Sequence, residues 1–159
     1  MNNRYPNYGS YADQTISDIF SGEDLNSSLL LQANTFSSSY LENLGNNQFD
    51  LSDLPVPAQL APVNSMISHD YNNDGNLDIL LAGNFFGSRI QYGRLDANKG
   101  LLLLGDGKGN FKEVPNYESG LFINGEVRDI SRVRLATGKE LLLFTLNNDS
   151  LQLYQISDH

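Results

Sequence analysis

Sliding the chain against itself by 62 positions aligns Leu41 with Leu103, Gly45 with Gly107, Phe49 with Phe111, Leu80 with Leu142, Leu81 with Leu143, Ser88 with Ser150 and Tyr92 with Tyr154, without a gap. The identities are few, but they fall at the same places in a shared strand-and-turn pattern, which favours duplication of one supersecondary unit. A repeated unit of this size buries its apolar faces against its neighbours, so the repeat restricts the chain to stacked architectures. Each unit reads as four short strands, roughly 39–44, 65–69, 78–83 and 89–92 in the first and 101–105, 126–133, 140–146 and 151–156 in the second. GNNQF at 45–49 and GDGKGNF at 105–111 supply the Gly and Asn residues that tight turns need for positive φ. The expected fold is mainly β: two four-stranded antiparallel propeller-type blades, 38–99 and 100–159, after an N-terminal extension with short helices, 1–37, forming part of a β-propeller. One irregular sandwich is the alternative.

Within the first unit, DYNNDGNLD at 70–78 places oxygen donors at alternate positions around a glycine. Asp70, Asn72, Asp74 and Asp78 offer side-chain oxygens and Asn76 its backbone carbonyl, while Gly75 permits the sharp bend. Hard donors in this number suit Ca²⁺, with water or a bidentate carboxylate completing about 6 to 8 ligands. An ordinary acidic turn also favours Asp, Asn and Gly, because these residues cap backbone groups and tolerate left-handed conformations. Such a turn does not require carboxylates at the first, fifth and ninth positions together, and without a cation clustered carboxylates repel one another. An EF-hand does not fit, since its twelfth position requires a bidentate Glu between helices, and here that position is Leu81. The apolar run from Ile79 ending at Gly83 suits a buried strand, so the loop is expected to join two strands. At the repeat offset its side-chain donors fall opposite Arg132, Arg134, Ala136 and Glu140, which predicts a single calcium loop, with calcium as the cofactor.

Charge and composition narrow the partners. With 19 Asp and Glu against 10 Lys and Arg, a net charge of −9, the chain repels a phosphate backbone, so no nucleic-acid partner is expected. The absence of Cys excludes disulfides, thiolate catalysis and Cys-type zinc sites, and leaves the compartment open. No stretch approaches the roughly 18 consecutive apolar residues of a membrane span, and the opening MNNRYPNYGS lacks a signal-peptide layout. No membrane span is expected, and any export signal lies outside this sequence. Thr15 to Asp18 and Ser21 to Asp24 read as helix starts, with Ser21 a good N-cap.

Catalysis has little support. Of the two histidines, His69 sits beside the loop and reads as a packed or hydrogen-bonded structural residue, while His159 ends the chain. GDGKGN superficially resembles a phosphate loop but lacks the GKS or GKT ending and a following helix. Outside the loop, no carboxylate pair is singled out by spacing for glycoside hydrolysis. The connection 84–100 mixes aromatic and bidentate groups, which makes Phe85, Phe86, Arg89 and Arg94 the candidate contacts to a protein or polar ligand. Tyr92, aligned with Tyr154, is expected to pack within its blade.

DYNNDGNLDILLAGN, NLGNNQF and GLLLLGDGKGNF together resemble the FG-GAP or VCBS repeats, calcium-loop blades of integrin α-subunit propellers and of many exported bacterial proteins, over roughly residues 38–159. The chain also resembles the carboxy-terminal part of larger bacterial proteins of this type. The resemblance implies Ca²⁺ at Asp70, Asn72, Asp74, Asn76 and Asp78. It further implies an extracellular, cell-surface or periplasmic location and a non-catalytic binding or adhesion role toward protein or glycan. An accessory region of a polysaccharide-processing or metal-dependent hydrolytic enzyme is the alternative, and a propeller wall without activity of its own is a third reading. Propellers of the family generally have about seven blades, whereas this chain holds two units. It is therefore expected to be a fragment, or to self-associate through open blade edges.

Overall fold

The structure is a computed structural model that describes residues 6–156, and the chain divides into two units, Met1–Phe36 and Ser37–His159. In the first unit three short helices follow one another: α1 (Gly9–Ala12), α2 (Ile16–Ile19) and α3 (Gly22–Ser27). The second and third start at the expected caps, where side chains satisfy donors that a helix start leaves unpaired. Ser21 Oγ accepts the Asp24 N–H at 3.1 Å, and the Asp24 carboxylate accepts the Ser21 N–H at 3.2 Å. Asp18 likewise accepts the Thr15 N–H at 2.9 Å. Hydroxyl donation from Thr15 and Ser21, followed by these backbone bonds, holds Asp18 and Asp24 below the usual carboxylate range.

The second unit is built from strands. β1 (Ser39–Gly45) and β2 (Gln48–Asp53) form a hairpin. β3 (Val63–His69), β4 (Asp78–Gly83), β5 (Leu101–Gly105) and β6 (Phe111–Val114) pair in that order as a four-stranded antiparallel sheet. β7 (Val127–Arg134), β8 (Glu140–Leu146) and β9 (Gln152–Gln155) form a three-stranded antiparallel sheet. A single turn, α4 (Asn116–Ser119), links the two larger sheets.

The mainly β, antiparallel character and the short N-terminal helices agree with the sequence, but two four-stranded blades do not form. Three sheets form instead, none of them closed. The expected division between residues 99 and 100 cuts through the middle of the central sheet, where Ile79 pairs with Leu103 and Leu81 with Leu101. A repeat period fixes the spacing of equivalent residues but not where one sheet ends, and the long connection after β4 returns the chain to pair with its own outgoing strand. The strand expected over 89–92 is a 3₁₀ turn, Ile90–Tyr92. β2 and β6, each following a glycine turn, complete hairpins whose second strands the sequence pattern did not mark.

Alternation explains why the central sheet is covered on both sides, since successive side chains in a strand point to opposite faces. Leu80 and Ala82 face the three-stranded sheet and join Val127, Ile130, Leu142 and Phe144 in the larger core. Leu81, Leu101 and Leu103 face the other way and pack with Ala58, Leu54 and Val63. The two larger sheets are also joined by polar bonds between β3 and β7: Ser65 Oγ donates to Asp129 Oδ1 at 3.0 Å and accepts the Ile130 N–H at 3.1 Å, while Asn64 Nδ2 donates to the Val127 carbonyl at 2.8 Å. The last β3–β4 pair, His69 with Asp78, brackets the Asp-rich loop.

Candidate functional site

Residues 70–78 join β3 to β4, as the apolar run after Asp78 suggested. Gly75, at φ 89°, and Asn73, at φ 59°, take the left-handed conformations that let so short a segment reverse. The carboxylates are held by backbone N–H groups of the loop. Asp70 accepts the Asp74 N–H at 3.1 Å and the Gly75 N–H at 2.9 Å. Asn72 Oδ1 accepts the Asp74 N–H at 3.0 Å, and its amide donates to Asp74 at 2.8 Å. Asp74 accepts the Asn76 N–H at 2.8 Å, and this bond, followed by that from Asn72, holds its carboxyl below the usual range.

Asp78 stands apart from the other four. It is fully buried, its Oδ2 accepts the Tyr71 N–H at 2.8 Å, and its Oδ1 accepts the Gly105 N–H at 3.0 Å. Gly105 is required there by proximity, because a Cβ at that position would collide with the Leu77 carbonyl oxygen. Among the described residues the ion pairs join Arg128 to Glu126 and Arg132 to Glu140, so Asp78 has no cationic side chain to balance its charge. Burying a carboxylate without such a partner is costly.

The donor chemistry of the loop fits a hard cation. Each carboxylate oxygen has lone pairs beyond the one used by a single N–H, and Asn72 and Asn76 add neutral oxygens of the kind Ca²⁺ accepts. Among the described residues no three His, Asp or Glu side chains stand gathered as a ready metal cluster. The carboxylates are spread along the loop and engaged by backbone N–H groups instead.

Beside the loop, His69 accepts a hydrogen bond at Nδ1 from the Arg132 guanidinium at 2.6 Å and packs edge-on against Tyr71 at 5.2 Å. Arg132 Nε also lies 3.6 Å from Glu140. The position opposite Asp70 in the repeat thus crosses to the first strand of the neighbouring sheet. The Tyr71 hydroxyl is buried without a hydrogen-bond partner, and burial, with the Asp78 and Glu140 charges adding to it against an opposing Arg132, pushes its pKa up to about 12. Sequence reasoning passed over Tyr71, because a tyrosine within an Asp-rich loop carries no signal of burial.

The loop after β4 carries the other candidates. Phe85 is committed to a two-residue bridge with Leu95, its N–H and carbonyl each bonded at 2.9 Å. Phe86 carries the Arg94 guanidinium at 4.8 Å from its ring centre. Arg89 precedes the 3₁₀ turn, and that turn exposes Ile90 and Tyr92. Tyr92 is exposed rather than packed. Its aligned counterpart Tyr154 packs edge-on against Phe144 at 5.6 Å. Asn84, also missed, anchors the base of this loop: it is buried, donates to the Asn98 carbonyl at 2.7 Å and the Gly125 carbonyl at 2.8 Å, and accepts the Asn98 N–H at 3.0 Å. His159 lies outside the described residues. No helix among the described residues is long and apolar enough to cross a membrane. No protein-family model, curated protein or solved structure matches the chain.

Proposed function

We propose that the chain is a non-catalytic, calcium-stabilised binding module of an exported or cell-surface protein, in which Ca²⁺ held by Asp70, Asn72, Asp74, Asn76 and Asp78 fixes the β3–β4 loop while neighbouring loops contact protein or glycan. In this reading the three sheets are successive propeller-type blades. β1 and β2 are the last strands of one blade, β3 to β6 a complete second, and β7 to β9 three strands of a third.

The observation that carries the reading is Asp78, a fully buried carboxylate without a cationic side chain at the end of a loop of five Asp and Asn oxygen donors. A divalent cation on that loop would offset its buried charge. Binding energy would then also be folding energy, since an unfolded chain holds no preformed site. The expected melting temperature therefore rises with Ca²⁺, falls in chelator, and loses this difference in Asp74→Ala. Equal melting of the parent chain with calcium and with chelator defeats the proposal.

A further inference from the structure

We propose that the loop between β4 and β5 is a docking finger that enters the cleft between the two larger sheets of a second copy of this chain. Residues 85–95 contain Arg89 and Arg94 and no Asp or Glu, a local charge of +2 on a chain of net −9, which leaves −11 on the remainder. The finger is held in shape before any partner arrives. Its base is closed by the Phe85 and Leu95 bridge, its side by Arg94 on Phe86, and its tip by the Ser88 hydroxyl donating to the Gly93 carbonyl. At that tip Ile90 is 97% and Tyr92 77% exposed. A preformed loop that presents an aromatic between two arginines pays little ordering entropy on binding and carries the residue types that dominate interfaces.

The cleft has the complementary chemistry. It has a volume of about 240 Å³, its walls include Leu102, Leu104, Leu142, Tyr154 and Ile156, and the exposed Glu118 lies at its lip. That volume is below the roughly 300–1,000 Å³ of drug-sized sites, and suits one aromatic side chain. Tyr92 in the cleft would set Arg89 or Arg94 against Glu118.

In its own chain the finger tip stands free of this cleft, since Ile90 and Tyr92 are exposed and neither lines it, so the two halves are assigned to different copies. β4 runs from Asp78 at the loop end of its sheet to Gly83, where the finger begins. The cleft runs along the sheet, from Tyr71, Asn72 and Leu104 at the loop end to Leu121 beside Gly100. Finger and cleft are different surfaces of the chain, so the contact between copies is heterologous, running head to tail. This inference extends the binding-module reading by naming a surface and a partner, and its readout is mass, whereas that of the calcium reading is melting temperature, so either can fail alone.

The test is sedimentation of the full chain over a concentration series at low and high salt. The expected result is a mass that climbs with concentration and falls back with salt, and association weakened roughly tenfold or more by Tyr92→Ser, the loss typical of a central interface aromatic. Arg89→Glu with Arg94→Glu weakens it similarly, and adding Glu118→Arg to that double variant restores it. A monomer at every concentration overturns the proposal, as does association indifferent to Tyr92→Ser or a charge swap without rescue. Association abolished by Leu153→Lys on the β9 edge while Tyr92→Ser has no effect also overturns it, since that is strand-edge pairing.

Discussion

The Gly105 N–H donates to the Asp78 carboxylate at 3.0 Å, so the last residue of β5 is fastened to the first residue of β4 by a side chain where the backbone ladder has ended at Ile79 and Leu103. The other oxygen of the same carboxylate holds Tyr71 at the start of the loop. Asp78→Ala strands both donors, each at a cost of roughly 1–3 kcal/mol. The expected loss is about 2–5 kcal/mol in urea unfolding, persisting in chelator because neither bond involves an ion. Asp78→Asn keeps one acceptor oxygen and is expected to lose about half as much.

Two glycines of this region separate backbone strain from collision. At Gly75 an added Cβ meets nothing, so Gly75→Ala costs only the left-handed conformation at φ 89°, roughly 1–2 kcal/mol. Gly75→Asn is expected to cost less, because Asn tolerates that region. At Gly105 the same methyl meets the Leu77 carbonyl, a backbone atom that cannot rotate away. Thermal unfolding should rank the variants Gly75→Asn, Gly75→Ala, Gly105→Ala from most to least stable, and the reverse order would show that the loop, not the strand end, is the rigid part.

How much of this was legible follows from what each residue signals. The loop was readable because Asp, Asn and Gly at alternate positions announce both their backbone conformation and their oxygens. β4, β5 and β8 were readable because their apolar runs are long and end at turns. β2 was not, since QFDLSD is exposed along its whole length and so lacks a buried face to impress a clear period. The 3₁₀ turn at Ile90 reads as strand in the sequence because a β-branched and an aromatic residue so close together favour strand locally. The phase of the sheets was hidden for a different reason: which strand closes a sheet depends on where the connection 84–98 returns, and that is set by the buried Asn84, a residue whose type says nothing of its partners.

Removing the Tyr71 hydroxyl is expected to be harmless or stabilising, by up to about 1 kcal/mol, because Tyr71→Phe deletes a buried polar group that has no partner to lose. The pH dependence has a definite sign. The folded pKa is raised from the ordinary value of 10.0 to about 12, so folding stability is untouched by this group below about pH 10 and falls as pH rises from there through about 12. Ultraviolet titration of the chain's 8 tyrosines should show one late ionisation that vanishes in Tyr71→Phe. A late step that survives the substitution assigns it elsewhere.

Asn84 combines a backbone and a side-chain role, which substitution can divide. Its φ of 86° is left-handed, and its amide makes three bonds to Asn98 and Gly125. Asn84→Gly relieves the backbone while deleting the amide, so its cost reports the side-chain bonds alone, about 2–4 kcal/mol for a buried group whose partners are left unpaired. Asn84→Ala adds roughly 1–2 kcal/mol for the left-handed conformation. Both variants free the base of the 84–98 loop, and amide exchange should quicken at Phe85 and Leu95, the bridge that this base supports, while the β7–β8 ladder keeps its relative protection. Unchanged exchange at that bridge would mean that Phe85, Leu95 and the Arg94 contact with Phe86 close the loop without Asn84.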